Sequence, residues 1–199
     1  RGASYPLRVD PFLQQARLTA SDGAANDQFG DAVAVSGNTI VAGAPGHNAN
    51  QGAAYVFVRP ASGWANASQA AELTASDGAA GDLFGGAVAV SGSGDTIVAG
   101  APAHQVGAKP NQGAAYVFVM PNSGWAGTLH ETAELTASDG AGGDGLGRAV
   151  AVSGDTVVAG APSHQVNAHA GQGAAYVFVR PSSGWAGTLH ETAELTASD

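Results

Sequence analysis

The residues of this chain that are able to do chemistry come in sets of three. The motif SDGxxxD sets two carboxylates five residues apart at Asp22 and Asp27, at Asp77 and Asp82, and at Asp139 and Asp144. Two carboxylates at that spacing are a thin start on a cation site, because calcium takes about 6–8 oxygens. The competing use is turn chemistry, in which an Asp side chain accepts a nearby backbone N–H ahead of a strand; it is the stronger reading from sequence alone. A histidine follows each Gly-Ala-Pro by two residues, at His47, His104 and His164. Imidazole ligates metals and carries protons, so these three form a candidate ligand-binding set on one face of the repeating units. Trp64, Trp125 and Trp185 each close a Ser-Gly-Trp turn. Exposed, they would stack on sugars; buried, they would cap a core with the indole N–H on a carbonyl.

Catalysis finds no such support. His130-Glu131 with Glu134, and its copy His190-Glu191 with Glu194, make half of a zinc-protease HExxH. The second histidine is missing and the segment reads as strand, where neighbouring side chains point to opposite faces. Gly143-Asp144-Gly145-Leu146-Gly147 lacks the lysine and the following helix of a phosphate-binding loop. The absence of cysteine excludes disulfides, thiolate metal ligands and cysteine nucleophiles together. No catalytic residue is assigned, and an enzyme is not expected.

What positions these residues is a repeat. LTASD begins at Leu18, Leu73, Leu135 and Leu195, and QGAAYVFV begins at Gln51, Gln112 and Gln172. The segment GWAGTLHETAELTASD is identical at 124–139 and 184–199. Each unit divides at its turn signals into four short runs, which in the first are DAVAVS, NTIVAGA, AAYVFV and the stretch leading into ARLTA or AELTA. Gly-containing turns such as Ser36-Gly37-Asn38 and Ser153-Gly154-Asp155 join the first two runs as a tight hairpin. The AVAV and AAYVFV runs are apolar on both strand faces, so both faces are expected to be covered; the AELTASD runs alternate and are expected to be half exposed. Four-stranded antiparallel sheets repeated along the chain and stacked face to face are β-propeller blades. The expected fold is therefore all-β, with three blades and one extra N-terminal strand. The divisions are an N-terminal extension with the outer strand of a partial blade at 1–17, blade repeats at 18–72 and 73–134, and a third at 135–199 that ends in the start of the next motif.

The strings FGDAVAVSGNTIVAGAP, FGGAVAVSGSGDTIVAGAP and LGRAVAVSGDTVVAGAP, each followed by AAYVFV, resemble the FG-GAP repeat of integrin α-type propellers, in its bacterial form. The resemblance implies an extracellular or cell-surface β-propeller, commonly of about seven blades, that serves binding or adhesion. It also implies an Asp-rich calcium loop between the FG and GAP strands. Here those turns carry only Asn38, Asp95 or Asp155, too few oxygens for calcium; no cofactor is expected, and the family's calcium sites are not carried over.

Seven basic against sixteen acidic residues, a net charge of −9, argue against nucleic acid. No apolar run approaches the roughly 20 residues of a membrane helix. Three blades fall short of the about 4–8 that close a ring. The units are expected to be a piece of a longer propeller, to be completed by copies into a ring, or to stack as a filament. The expected function is a structural or adhesive module, extracellular or at the cell surface, whose partners are other protein chains or copies of itself. The alternative is a lectin-like propeller binding glycans or a cation.

Overall fold

The computed structural model describes residues 14–198. Residues 1–13, where most of the expected N-terminal extension falls, and Asp199 lie outside the described residues. β1 (Leu18–Thr19) leads into blade one, which is built from β2 (Val33–Ser36), β3 (Thr39–Ala44), β4 (Ala53–Val58) and, after β5 (Ala67–Ser68), β6 (Ala71–Thr74). Blade two repeats the plan with β7 (Ala87–Val90), β8 (Thr96–Ala101), β9 (Ala114–Val119) and, after β10 (Gly127–His130), β11 (Ala133–Thr136). Blade three has β12 (Ala149–Ser153), β13 (Thr156–Ala161), β14 (Ala174–Val179) and, after β15 (Gly187–His190), β16 (Ala193–Leu195). The four strands of each blade run antiparallel in chain order once the intervening short strand is set aside. β-Branched and aromatic residues suit this pleated, packed surface. Register repeats with them: Ile40 lies opposite Phe57, Ile97 opposite Phe118 and Val157 opposite Phe178.

The short strands set aside are the difference from the expected four-strand blade. β10 pairs in parallel with β6, placing Leu129 opposite Leu73, and β15 pairs in parallel with β11, placing Leu189 opposite Leu135. β5 pairs in the same way with β1. Units two and three thus lay a fifth strand on the outer edge of the sheet before them, so blades one and two have five strands and blade three has four. A parallel partner cannot be reached through a tight hairpin, and local turn signals gave no hint of it. The divisions at 72/73 and 134/135 fall inside β6 and β11.

The core lies between blades. One buried cluster joins Val41, Val56 and Leu73 of blade one to Ile97, Tyr116 and Phe118 of blade two, with Phe84 and Trp125. A second joins Val98, Val117 and Leu135 to Val157, Tyr176 and Phe178, with Leu146 and Trp185. Burying each of the larger of these side chains contributes about 2–3 kcal/mol. β4 and β9 are buried except at their last valine, as expected for strands covered on both faces. β2 and β12 do not meet that expectation: Val33 and Val35 are each 69% exposed, and alternate residues of β12 face solvent. Among the described residues, blades one and three have a neighbour on one side only.

The signature residues make the blade-to-blade contact. The Phe84 amide donates to the Gln51 carbonyl and the Gly85 amide to Gly100, so this corner is tied to blade one and blade two together. Leu146 and Gly147 repeat the pair with Gln112 and Gly160. A Cβ on Gly43 would strike the Gly85 carbonyl, and a Cβ on Gly100 would strike that of Gly147. The glycine of each GAP strand is what lets the next FG corner approach.

Candidate functional site

In each blade the loop entering the blade, the loop after GAP, the third strand and the outer strand converge. In blade two these supply Asp77 and Asp82, His104, Tyr116 and Glu134. The second aspartate of the motif first does turn work: Asp27, Asp82 and Asp144 accept the N–H of Ala24, Ala79 and Ala141 at 2.8, 2.8 and 2.7 Å. The same oxygen then meets Nδ1 of the histidine, at 3.0 Å for His47 and 2.8 Å for His104 and His164. The Ala24 N–H, and then the His47 contact, hold the Asp27 carboxyl below its ordinary range. His104 and His164 are buried and His47 half-buried.

With Nδ1 engaged, Nε2 faces two further carboxylates. His104 Nε2 lies 3.4 Å from Asp77 Oδ2 and 4.0 Å from Glu134 Oε1. His164 Nε2 lies 3.6 Å from Asp139 and 3.8 Å from Glu194, and His47 Nε2 lies 3.8 Å from Asp22. In each blade one ligand atom from each of Asp, His and Glu lies within 4.8 Å of the others, with Glu72 completing the first set. Burial, and next the charge of Asp77, push the Glu134 carboxyl above its ordinary value. Tyr116 and Tyr176 donate their hydroxyls to Asp77 and Asp139 at 3.0 and 2.9 Å. The histidine rings stand edge-on to the tyrosines, at centroid distances of 6.2, 5.9 and 5.8 Å.

The histidines and the SDGxxxD aspartates, two separate readings in the sequence, are therefore one site. Glu72 and the tyrosines were missed, and Glu134 and Glu194 were named only as parts of the rejected half HExxH motif. Their only signal was recurrence in AELT and AAYVFV, and the cross-strand register that sets Tyr116 opposite Glu134 is a long-range fact. The tryptophans do not join the site. Trp125 and Trp185 are each 6% exposed, Trp125 donates to the Gly94 carbonyl at 3.0 Å, and Trp64 is half-buried against blade one.

The second functional feature is the strand handover. Glu131, just after β10, accepts the Ser76 N–H at 2.9 Å and the Ser76 hydroxyl at 2.5 Å, and Glu191 does the same for Ser138 at 3.0 and 2.5 Å. Gln69 takes that place in the first unit, accepting the Ser21 N–H and donating to its hydroxyl, each at 2.9 Å. The His-Glu half motif is thus a clasp on the preceding blade. Thr128 and Thr188 of the added strands donate to Glu72 and Glu134, at 3.4 and 3.1 Å, linking handover to site.

Among the described residues no helix is long and apolar enough to cross a membrane. A family model described as FG-GAP repeat matches residues 12–57, 67–118 and 129–178. No curated protein gives a significant match. With three matched repeats covering most of its length, and the FG and GAP glycines meeting at both blade junctions, the chain belongs to the FG-GAP repeat family.

Proposed function

We propose that this chain is a non-catalytic structural or adhesive module, working outside the cell or at its surface, that contacts protein chains, copies of itself included. FG-GAP repeats are generally interaction modules of extracellular or surface proteins, which supports the setting. The observation that carries the reading is the handover: units two and three each give a strand and an FG corner to the unit before them. Blade three offers the matching receiving surface. Among the described residues β16 has no strand on its outer edge, and Leu195 is 54% exposed. Beside it an apolar depression of about 310 Å³ is lined by Gly160, Ala161, Gly173 and Ala174. Gly160 and Gly173 correspond to Gly100 and Gly113, which in blade two are filled by Leu146 and Gly147. Blade one carries the giving surface, with exposed Val33 and Val35 beside half-buried Phe29. A giving face and a receiving face on one molecule make a head-to-tail contact, which closes as a ring or continues as a filament.

The test is sedimentation of the 199-residue chain across a concentration series, beside Gly160→Ala. A methyl there meets nothing nearer than 3.7 Å within the chain, but at the equivalent Gly100 it would strike the incoming Gly147 backbone. The expected result is association beyond the 19.4 kDa monomer that Gly160→Ala abolishes without lowering Tm. A wild-type chain that stays monomeric throughout, or an unaffected variant, would overturn self-contact through this face.

A further inference from the structure

We propose that each blade holds a divalent transition-metal ion, at Asp22–His47–Glu72, Asp77–His104–Glu134 and Asp139–His164–Glu194. This goes beyond protein contact and does not depend on it. Three different segments bring an imidazole and two carboxylates to one point, and do so three times. All three histidines, and most of the carboxylates, are oriented from behind. An aspartate holds Nδ1 of each histidine, which leaves Nε2 pointing at the centre. Such carboxylate–histidine pairs fix the tautomer of metal-ligating histidines. Tyr116 and Tyr176 occupy Oδ1 of Asp77 and Asp139, leaving Oδ2 as the oxygen nearest Nε2. Thr188 occupies Oε2 of Glu134, leaving Oε1 as the nearest.

A nitrogen lone pair and two carboxylate oxygens converging in a partly buried place need positive charge between them. A proton on Nε2 would draw a carboxylate to about 2.7–2.9 Å, the length of a charge-assisted hydrogen bond. Five of the six separations run from 3.4 to 4.0 Å, and the Glu72 carboxylate of the first site lies within 4.8 Å of the other ligand atoms. Around an ion with bonds of about 2.0–2.2 Å, neighbouring tetrahedral ligands stand about 3.4 Å apart. The spacing suits a metal better than a proton. An independent sign comes from Tyr55. Its side chain is fully buried beside Asp22 and Glu72, and its hydroxyl lies near Asp22 but falls short of good hydrogen-bond geometry. Its counterparts in the other blades spend that hydroxyl on the site aspartate, so Tyr55 is a polar group aimed at the first centre.

The ligand set chooses the ion class. Calcium and magnesium take all-oxygen shells. Imidazole with carboxylates and no thiolate suits borderline divalent ions such as zinc. The experiment is equilibrium dialysis of the metal-stripped 199-residue chain against zinc, with bound metal counted per chain and Tm recorded. The expected result is three equivalents and a raised Tm. Glu134→Gln, which keeps shape and a polar contact to Thr188, lowers the count to two, and Glu72→Gln with Glu134→Gln and Glu194→Gln lowers it to none. Asp144→Asn, which keeps an acceptor for the Ala141 N–H and loses the charge that holds His164, weakens the third site about 10–100-fold. Absence of zinc binding, zinc that persists in the folded triple variant, or calcium bound in its place would overturn the proposal.

Discussion

Single residues in this chain are specified by what they meet in another segment. Asp95 is a local exception, confined to unit two, whose hairpin is longer than the others. Its Oδ1 accepts the hydroxyls of Ser93, Ser91 and Thr96 at 2.6, 3.0 and 3.2 Å. Chiefly through Ser93, these bonds hold its carboxyl below the ordinary value of 3.8. A carboxyl lowered on folding contributes stability that is present above the unfolded value and is lost as pH falls through the folded one. Asp95→Asn is therefore expected to cost less than about 1 kcal/mol near neutral pH, because the group is exposed. Urea melts of both chains are expected to converge as pH falls below 3.8, and a gap unchanged with pH would refute the assignment. The histidine and aspartate sets were legible at this scale because each recurs with its own motif. Their union was not, because Asp82 and His104 stand 22 residues apart in different loops.

Elements follow the same rule. The runs DAVAVS, TIVAGA, AAYVFV and AELT were readable from alternation and turns, and each is a strand. The stretch GTLH was not assigned, since its partner lies in the preceding unit: Leu129 pairs with Leu73, and nothing local states that register. The glycines of GAP read as turn or crowding residues, and their use became clear only with the neighbouring FG corner in place. That use predicts opposite fates for equivalent substitutions. Gly100→Ala drives a methyl into the Gly147 backbone and is expected to cost about 3 kcal/mol or more. Gly160→Ala is expected to leave the single chain within about 0.5 kcal/mol of its starting stability. Equal losses at both positions in denaturant melts would contradict the contact.

Over the described residues, two of three buried clusters span neighbouring blades, and the third lies within blade one. The propeller-like character was visible in the sequence because strands greasy on both faces must be covered twice. How the end blades behave was not, because coverage depends on neighbours: Val33 and Val35 carry the same pattern as Val88 and Val90 yet lie open, while the latter pack against blade-one residues. The central claim is that each unit closes the blade before it, and native-state hydrogen exchange of the 199-residue chain addresses it most directly. The amides to follow are Gly127, which donates to Ala70, Gly187, which donates to Thr132, and Ser76 and Ser138, held by Glu131 and Glu191. Exchange at all four slowed at least about 100-fold from the unprotected rate is the expected result, corresponding to an opening free energy of about 2.7 kcal/mol. Exchange at the unprotected rate at Gly127 and Gly187, with β4 and β9 protected, would mean that the fifth strands are not held and that the units do not complete one another.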